Sequence, residues 1–148
     1  MIQSVNGEVN NATLIQSVMS AYCRRLDLQQ WEDWRFLMSD DATFEFENVE
    51  GQRIAYFNDP TEFIKVCIDH LKDTVTVHHL HNSEILSMDE GSAEVVWAME
   101  DRLYFSKTDS REESYFHGYG HYHISFVKNT EKWLISKLKL KRVRMEQQ

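Results

Sequence analysis

The sequence predicts an α+β fold: three N-terminal helices packed on a strongly curved, mixed or antiparallel sheet that encloses an apolar pocket. Three observations predict it. Up to Leu71 the apolar residues recur mainly at helical spacing, and from Val75 onward they recur at every second position. The links Asp89-Glu90-Gly91 and Lys128-Asn129-Thr130-Glu131 are short enough to join antiparallel neighbours. Helices gathered before a run of long strands define α+β, and strands this long must twist and curl, leaving a concave face to be covered.

Taken in order, Asn10 or Asn11 caps a helix beginning at Ala12, with Leu14, Ile15, Val18, Met19, Tyr22 and Leu26 along one face. Leu28 to Met38 reads as a second short helix with Trp31, Trp34 and Met38 on one side, ended by Ser39-Asp40. Ala42 to Glu47 alternates, Phe44 and Phe46 one way and Thr43, Glu45 and Glu47 the other, as a half-buried strand does. Gly51-Gln52 turns the chain into a return strand, Arg53 to Phe57. Asp59-Pro60 opens a third helix with proline at its first position and an apolar face of Phe63, Ile64, Cys67, Ile68 and Leu71. Four strands follow: Val75 to Met88, Ala93 to Phe105, Tyr115 to Lys128 and Lys132 to Val143. The stretch Lys107 to Glu113 is longer and more polar than a tight hairpin and reads as a loop on the pocket rim.

Composition narrows the class. At 148 residues, 42% hydrophobic and 12% aromatic, the chain suits one domain over 1–148 with a sizeable core and a loose segment over 1–10. A net charge of −8 disfavours nucleic acid, and no apolar run is long enough to cross a bilayer. Met1 to Asn11 lacks the pattern of a signal peptide, and Cys23 and Cys67 have no CxxC spacing, so a cytoplasmic protein with reduced thiols is expected. The basic run Lys137, Lys139, Lys141, Arg142 and Arg144 reads as a solvated sheet face.

The chemistry-bearing residues are histidines and one aspartate. Six of the seven histidines fall in His78-His79-Leu80-His81 and His117-Gly118-Tyr119-Gly120-His121-Tyr122-His123. Strand alternation puts His78, Leu80 and Asn82 on one face and His79 and His81 on the other; a bulge would shift the assignment by one. The pairs His79/His81 and His121/His123 suggest a metal, but a whole strand separates them, roughly 10 Å at a strand spacing of about 4.8 Å, so no metal is assigned. Asp27 ends the first helix between Leu26 and Leu28, where a carboxylate is costly unless paired. By pattern alone, an Asp at a helix end is more often a solvated cap than the orienter of a histidine.

Three motifs carry a family resemblance: Tyr22-x-x-x-x-Asp27 with Trp31, Trp34 and Asp40-Asp41-Ala42; His78-x-x-x-Asn82-x-x-Ile85 followed by Ala93; and Gly120-x-Tyr122 with Trp133-x-Ile135. In this order the chain resembles the SnoaL-like branch of the NTF2-like superfamily from about Ala12 to Leu140. The resemblance implies its cone-shaped fold. It also implies the Asp–His pair kept by scytalone dehydratase, bile-acid 7α-dehydratase and hexachlorocyclohexane dehydrochlorinase, all of which catalyse eliminations. On that reading His78 is the general base, Asp27 orients it, Tyr22 polarises a substrate oxygen and Asn82 positions the substrate. Trp34, Phe44, Trp97 and Tyr122 are expected to line the pocket.

The expected function is therefore a dehydratase-like lyase, without cofactor, acting on a small hydrophobic or ring-containing molecule. An isomerase or polyketide cyclase would use the same proton transfers. The alternative is a non-catalytic ligand-binding or dimerisation module, including an oxygenase small-subunit-like role. The superfamily's habit also implies a homodimer through the convex sheet face, with His79, His81, His121 and His123 at the interface.

Overall fold

The computed structural model describes residues 10–148. The expected loose segment over 1–10 thus lies outside the described residues, except for Asn10. Its Oδ1 accepts the Thr13 N–H at 2.8 Å and starts α1 (Asn11–Asp27). The expected stripe is buried at Ile15, Met19, Tyr22 and Leu26, together with Cys23, and half-buried at Leu14 and Val18. Asn11 Oδ1 accepts the indole N–H of Trp133 at 3.1 Å, which ties the start of α1 to the last hairpin.

The second helix is shorter than expected: α2 spans only Trp31–Arg35. The chain breaks helical geometry at Gln29, whose φ is 55°, and the sheet claims the far end, because the Ile135 N–H donates to the Leu37 carbonyl at 2.8 Å. Met38 and Ser39-Asp40 consequently open β1 (Met38–Glu47) instead of closing a helix. Beyond it come β2 (Arg53–Phe57) and α3 (Pro60–Leu71), the latter capped by Asp59 Oδ1 on the Thr61 N–H at 3.0 Å. The strands β3 (Thr74–Met88), β4 (Ser92–Phe105), β5 (Ser114–Asn129) and β6 (Lys132–Gln147) follow the expected boundaries, with β6 running four residues further.

The six strands form one open sheet in the order β2-β1-β6-β5-β4-β3. β1 and β6 run parallel, with Phe44 opposite Leu138, and the other neighbours are antiparallel. The edge strand β3 is interrupted between Leu80 and Ser83 and again between Ile85 and Ser87. Such irregularities keep an exposed edge from recruiting another strand.

The helices cover the concave face, and the space beneath them is filled by aromatic side chains. Phe44 and Phe63 stack with centroids 4.0 Å apart, Tyr22 lies 5.2 Å from Trp34 and 6.2 Å from Tyr122, and Trp97 meets Phe126 edge-on at 6.0 Å. Trp34 and Phe44 are 0% exposed, and Trp97 and Tyr122 3%. All four, expected to line a pocket, are thus packed in the core.

One glycine is required by this packing. Between Tyr119 and Gly120 the β5–β6 register slips past an extra residue on β6, and a Cβ on Gly120 would overlap the Lys141 carbonyl. Backbone cannot yield as a side chain can. Gly120→Ala is therefore expected to lower unfolding free energy by about 1–3 kcal/mol in urea titrations. Gly91→Ala, which meets only Asp89 Oδ1 at 3.9 Å, is expected to stay within about 0.5 kcal/mol of wild type.

Candidate acid–base site

Asp27 stands where helix electrostatics disfavour it, at the negative end of α1, a cost of about 0.3–1 kcal/mol. The helix does not use it as a cap. The Gln30 N–H donates to the Arg25 carbonyl at 2.8 Å and the Gln29 N–H to the Leu26 carbonyl at 3.0 Å, a Schellman closure with Gln29 at the left-handed position. The Gln29 side chain then donates to the Leu71 carbonyl at 2.8 Å and the Thr74 carbonyl at 3.2 Å. It pins the end of α1 against the entry to β3.

This placement delivers Asp27 to three donors. The Thr76 hydroxyl donates to Oδ1 at 2.9 Å, the His78 backbone N–H to Oδ2 at 2.9 Å, and His78 Nδ1 meets Oδ1 at 2.6 Å. Charge-assisted hydrogen bonds contribute about 1.5–3 kcal/mol each, so they outweigh the dipole. A carboxylate at Nδ1 assigns the proton to that nitrogen and leaves Nε2 as the acceptor. The His78 side chain is 9% exposed, and its Nε2 lies 4.0 Å from Asp101 Oδ2, beyond hydrogen-bond range.

Asp101 was not anticipated, nor was its partner. Asp101 is the cross-strand neighbour of His78, is 4% exposed, and is held in a two-pronged pair by Arg142, Nη1 to Oδ1 at 2.5 Å and Nη2 to Oδ2 at 3.0 Å. Arg142, expected within a solvated basic run, points inward. To reach β4 from β6 it crosses β5 at Gly118, where a Cβ would overlap the guanidinium. It rests over the Phe116 ring, 5.3 Å from the centroid. A signal existed in the sequence: Trp97, Met99 and Asp101 share one strand face, as do Leu138, Leu140 and Arg142, so each charge falls on a core-facing position.

Tyr22 and Tyr122 belong to the same interior. Burial, foremost, pushes both phenols well above their ordinary range, with nearby thiols and Asp101 adding to the effect at Tyr22. Each therefore stays a neutral donor. Asn82 is exposed, displaced by the break between Leu80 and Ser83, and is not brought to this cluster. The cleft at the site has a volume of about 590 Å³ between α1 and the edge strand β3, walled by Ser20, Cys23, Asp27, Leu28, His78 and Leu80 among others. Access is thus along the sheet edge, and none of the four core aromatics reaches it. A larger groove of about 760 Å³, between α1 and the β5–β6 hairpin, brings neither Asp27 nor His78 to its walls.

On the outer sheet face Glu100 joins two histidines: His81 Nε2 at 2.7 Å and His117 Nε2 at 2.9 Å, while the Tyr119 hydroxyl meets His117 Nδ1 at 3.2 Å. The bonds from His81 and His117 hold the Glu100 carboxyl below its usual range. His79 is the cross-strand neighbour of the same Glu100, and both His79 and His81 stand on the wall of the cleft. Among the described residues no group of three or more His, Cys, Asp or Glu is arranged to hold a metal. Lys139, expected to be solvated, is clasped by Glu47 at 2.9 Å and Glu45 at 3.3 Å. No helix among the described residues is long and apolar enough to cross a membrane.

Residues 8–139 match the SnoaL-like domain. The chain belongs to the SnoaL-like domain family. It is similar to the "Probable cyclase FGR4" of Gibberella zeae, with 25% identity over 139 residues, 89% of this chain and 91% of that protein. Among solved structures it is similar to a "Putative Scytalone Dehydratase" from Novosphingobium aromaticivorans, with TM-score 0.74 and 20% identity over 91% of this chain and 85% of that one. A hexachlorocyclohexane dehydrochlorinase, LinA-type3 from Novosphingobium barchaimii LL02, gives TM-score 0.73 and 14% identity over 93% and 89%. At these identities the structures establish the fold, and the SnoaL-like cone accounts for the element order and the mixed sheet.

Two outcomes follow from the site's construction. Arg142→Met leaves the Asp101 charge buried and unpaired, and should cost about 3–5 kcal/mol in denaturant unfolding, whereas the Arg142→Met/Asp101→Leu double variant should recover at least half of that loss. Burial pushes the Cys23 and Cys67 thiols up to about 12. Both thiols are thus held in the unreactive protonated form at pH 8, so iodoacetamide should label neither in the native protein and both after unfolding.

Proposed function

We propose that this SnoaL-like protein is an acid–base enzyme that works without a cofactor, a dehydratase-like lyase acting on a small hydrophobic, ring-containing carbonyl compound. The observation that carries the reading is the 2.6 Å contact of Asp27 Oδ1 with His78 Nδ1, which frees Nε2 for proton transfer. The dehydratase and dehydrochlorinase folds and the cyclase relative support the class.

In this scheme His78 Nε2 removes the proton from the carbon next to a carbonyl, and Asp27 stabilises the imidazolium that forms. The Tyr22 phenol, 2% exposed and neutral through burial, is the donor that the family resemblance assigns to the carbonyl oxygen; it lies behind the cleft wall, so this role requires the substrate to reach past that wall. The electron pair of the broken C–H bond becomes the new C=C bond as the β-hydroxyl departs. The imidazolium returns its proton to that hydroxyl, giving water and the conjugated product. The Arg142–Asp101 pair sits beside His78 Nε2 and supplies fixed dipoles without holding a net charge.

A non-catalytic ligand-binding module is the second reading, favoured by the aromatic packing that fills the cone where an enclosed substrate pocket was expected. Assembly as a homodimer through the outer sheet face, where His79 and His121 are exposed, is carried with either reading.

A panel of hydroxylated ring ketones and β-hydroxyacyl-CoA esters separates the two, with loss of water followed by mass and by the absorbance of the conjugated product. Wild type should dehydrate at least one member, His78→Ala should lose about 10²–10⁴-fold in kcat, Asp27→Asn should fall similarly, and Asn82→Ala should remain within about twofold. Equal inactivity of wild type and His78→Ala on every compound would sink the enzyme reading and leave the binding module.

A further inference from the structure

The cleft walled by Asp27 and His78 has an uneven charge. Among the described residues its one acidic wall residue is Asp27, and both carboxylate oxygens are already occupied by Thr76 and His78. Arg24 lies on the same helix, three residues before Asp27 and about 4.5 Å along the axis at the usual rise. It is exposed and forms no ion pair among the described residues, unlike Arg35, Arg53, Arg142 and Arg144. Its neighbour Arg25 is already engaged, donating to the Asp33 carbonyl at 2.7 Å. Across the cleft, the exposed His79 flanks the mouth.

Two apolar residues complete the arrangement. Leu28, 61% exposed, and the half-buried Leu80 also wall this cleft, so it offers apolar surface to water as well as Arg24 and His78. A chain of net charge −8 disfavours anions overall, and a guanidinium with no ion-pair partner among the described residues offers one a local docking point; Arg24 also borders the larger groove, but there Asp33 and Glu131 stand beside it.

We propose that Arg24 is a specificity residue: it holds an anionic substituent of the substrate, a carboxylate or a phosphate, at the mouth of the cleft while the apolar body covers Leu28 and Leu80 and the reacting carbon reaches His78. This rests on the reading of the cleft as the substrate site and narrows the substrate class to amphipathic anions. Guanidinium is suited to the task because its planar fork meets a carboxylate or phosphate with two parallel hydrogen bonds.

The test uses isosteric probes on the full chain: 1-naphthaleneacetate, the neutral 1-naphthaleneacetamide, and 1-naphthyl phosphate. Binding is titrated by calorimetry, and occupancy of the cleft is read from the His78 ring signals in NMR spectra. Wild type should bind one or both anions at least tenfold more tightly than the amide, the stronger of the two identifying the anion class. Arg24→Gln should reduce that preference to within twofold without changing affinity for the amide, and Arg24→Lys should restore part of it. An unchanged amide affinity excludes a general loss of structure. If all three probes move the His78 ring with equal affinity, or if Arg24→Gln keeps the preference, the assignment to Arg24 is overturned while the site reading stands. If no probe moves the ring, both are overturned together.

Discussion

The interior of this cone is organised by the need to compensate charge on its concave face. Asp101 projects from the middle of the sheet into a space otherwise filled by Trp97, Met99 and Tyr122, where an unpaired carboxylate would be prohibitive. Arg142 answers it from two strands away, and that reach shapes the intervening strand. Gly118 clears the path of the guanidinium, and Gly120 permits the close approach of β6 where the register slips. The pair in turn defines the polar end of an otherwise aromatic interior, the end at which His78 sits.

The second polar connection comes from the helix layer. α1 is stopped by a left-handed Gln29 and clasped to the β3 entry by the same residue's side chain, so Asp27 meets Thr76 and His78 at a fixed distance. Helix and sheet thus contribute one carboxylate each around a single imidazole. Only Nδ1 is bonded; Nε2 faces Asp101 without touching it. That asymmetry separates an imidazole poised for proton transfer from one locked in a structural network, and His117, bonded at both nitrogens on the outer face, shows the contrast.

Much of the architecture was legible because local rules acted alone. The Asn10 cap, the Asp59-Pro60 helix start, the return strand Arg53–Phe57 and the alternation through β4 and β5 depend on neighbours within a few positions. The reading of Leu28 to Met38 as a helix erred where a distant partner intervened: the β6 backbone pulls Leu37 and Met38 into the sheet. Asn82 shared a face with His78 under strict alternation, and the break in the edge strand removed it. Trp34, Phe44, Trp97 and Tyr122 were sound as inward-facing residues; how tightly they fill the cone depends on how the helices settle on the sheet.

By itself the sequence determined the fold class, the order of elements and which side chains turn inward, since periodicity and capping are written in adjacent residues. It also named Asp27 and His78 as partners, through resemblance more than through pattern. Only the tertiary structure decided that His78 and neither His79 nor His81 faces Asp27, that Arg142 leaves its basic run to pair with Asp101, and that the cleft opens along the edge of β3 beside Arg24. The physical reason is common to all three. Each depends on the distance between groups on non-adjacent elements, set by a strand register, a slipped residue or a helix terminus, and a distance of that kind has no period to read.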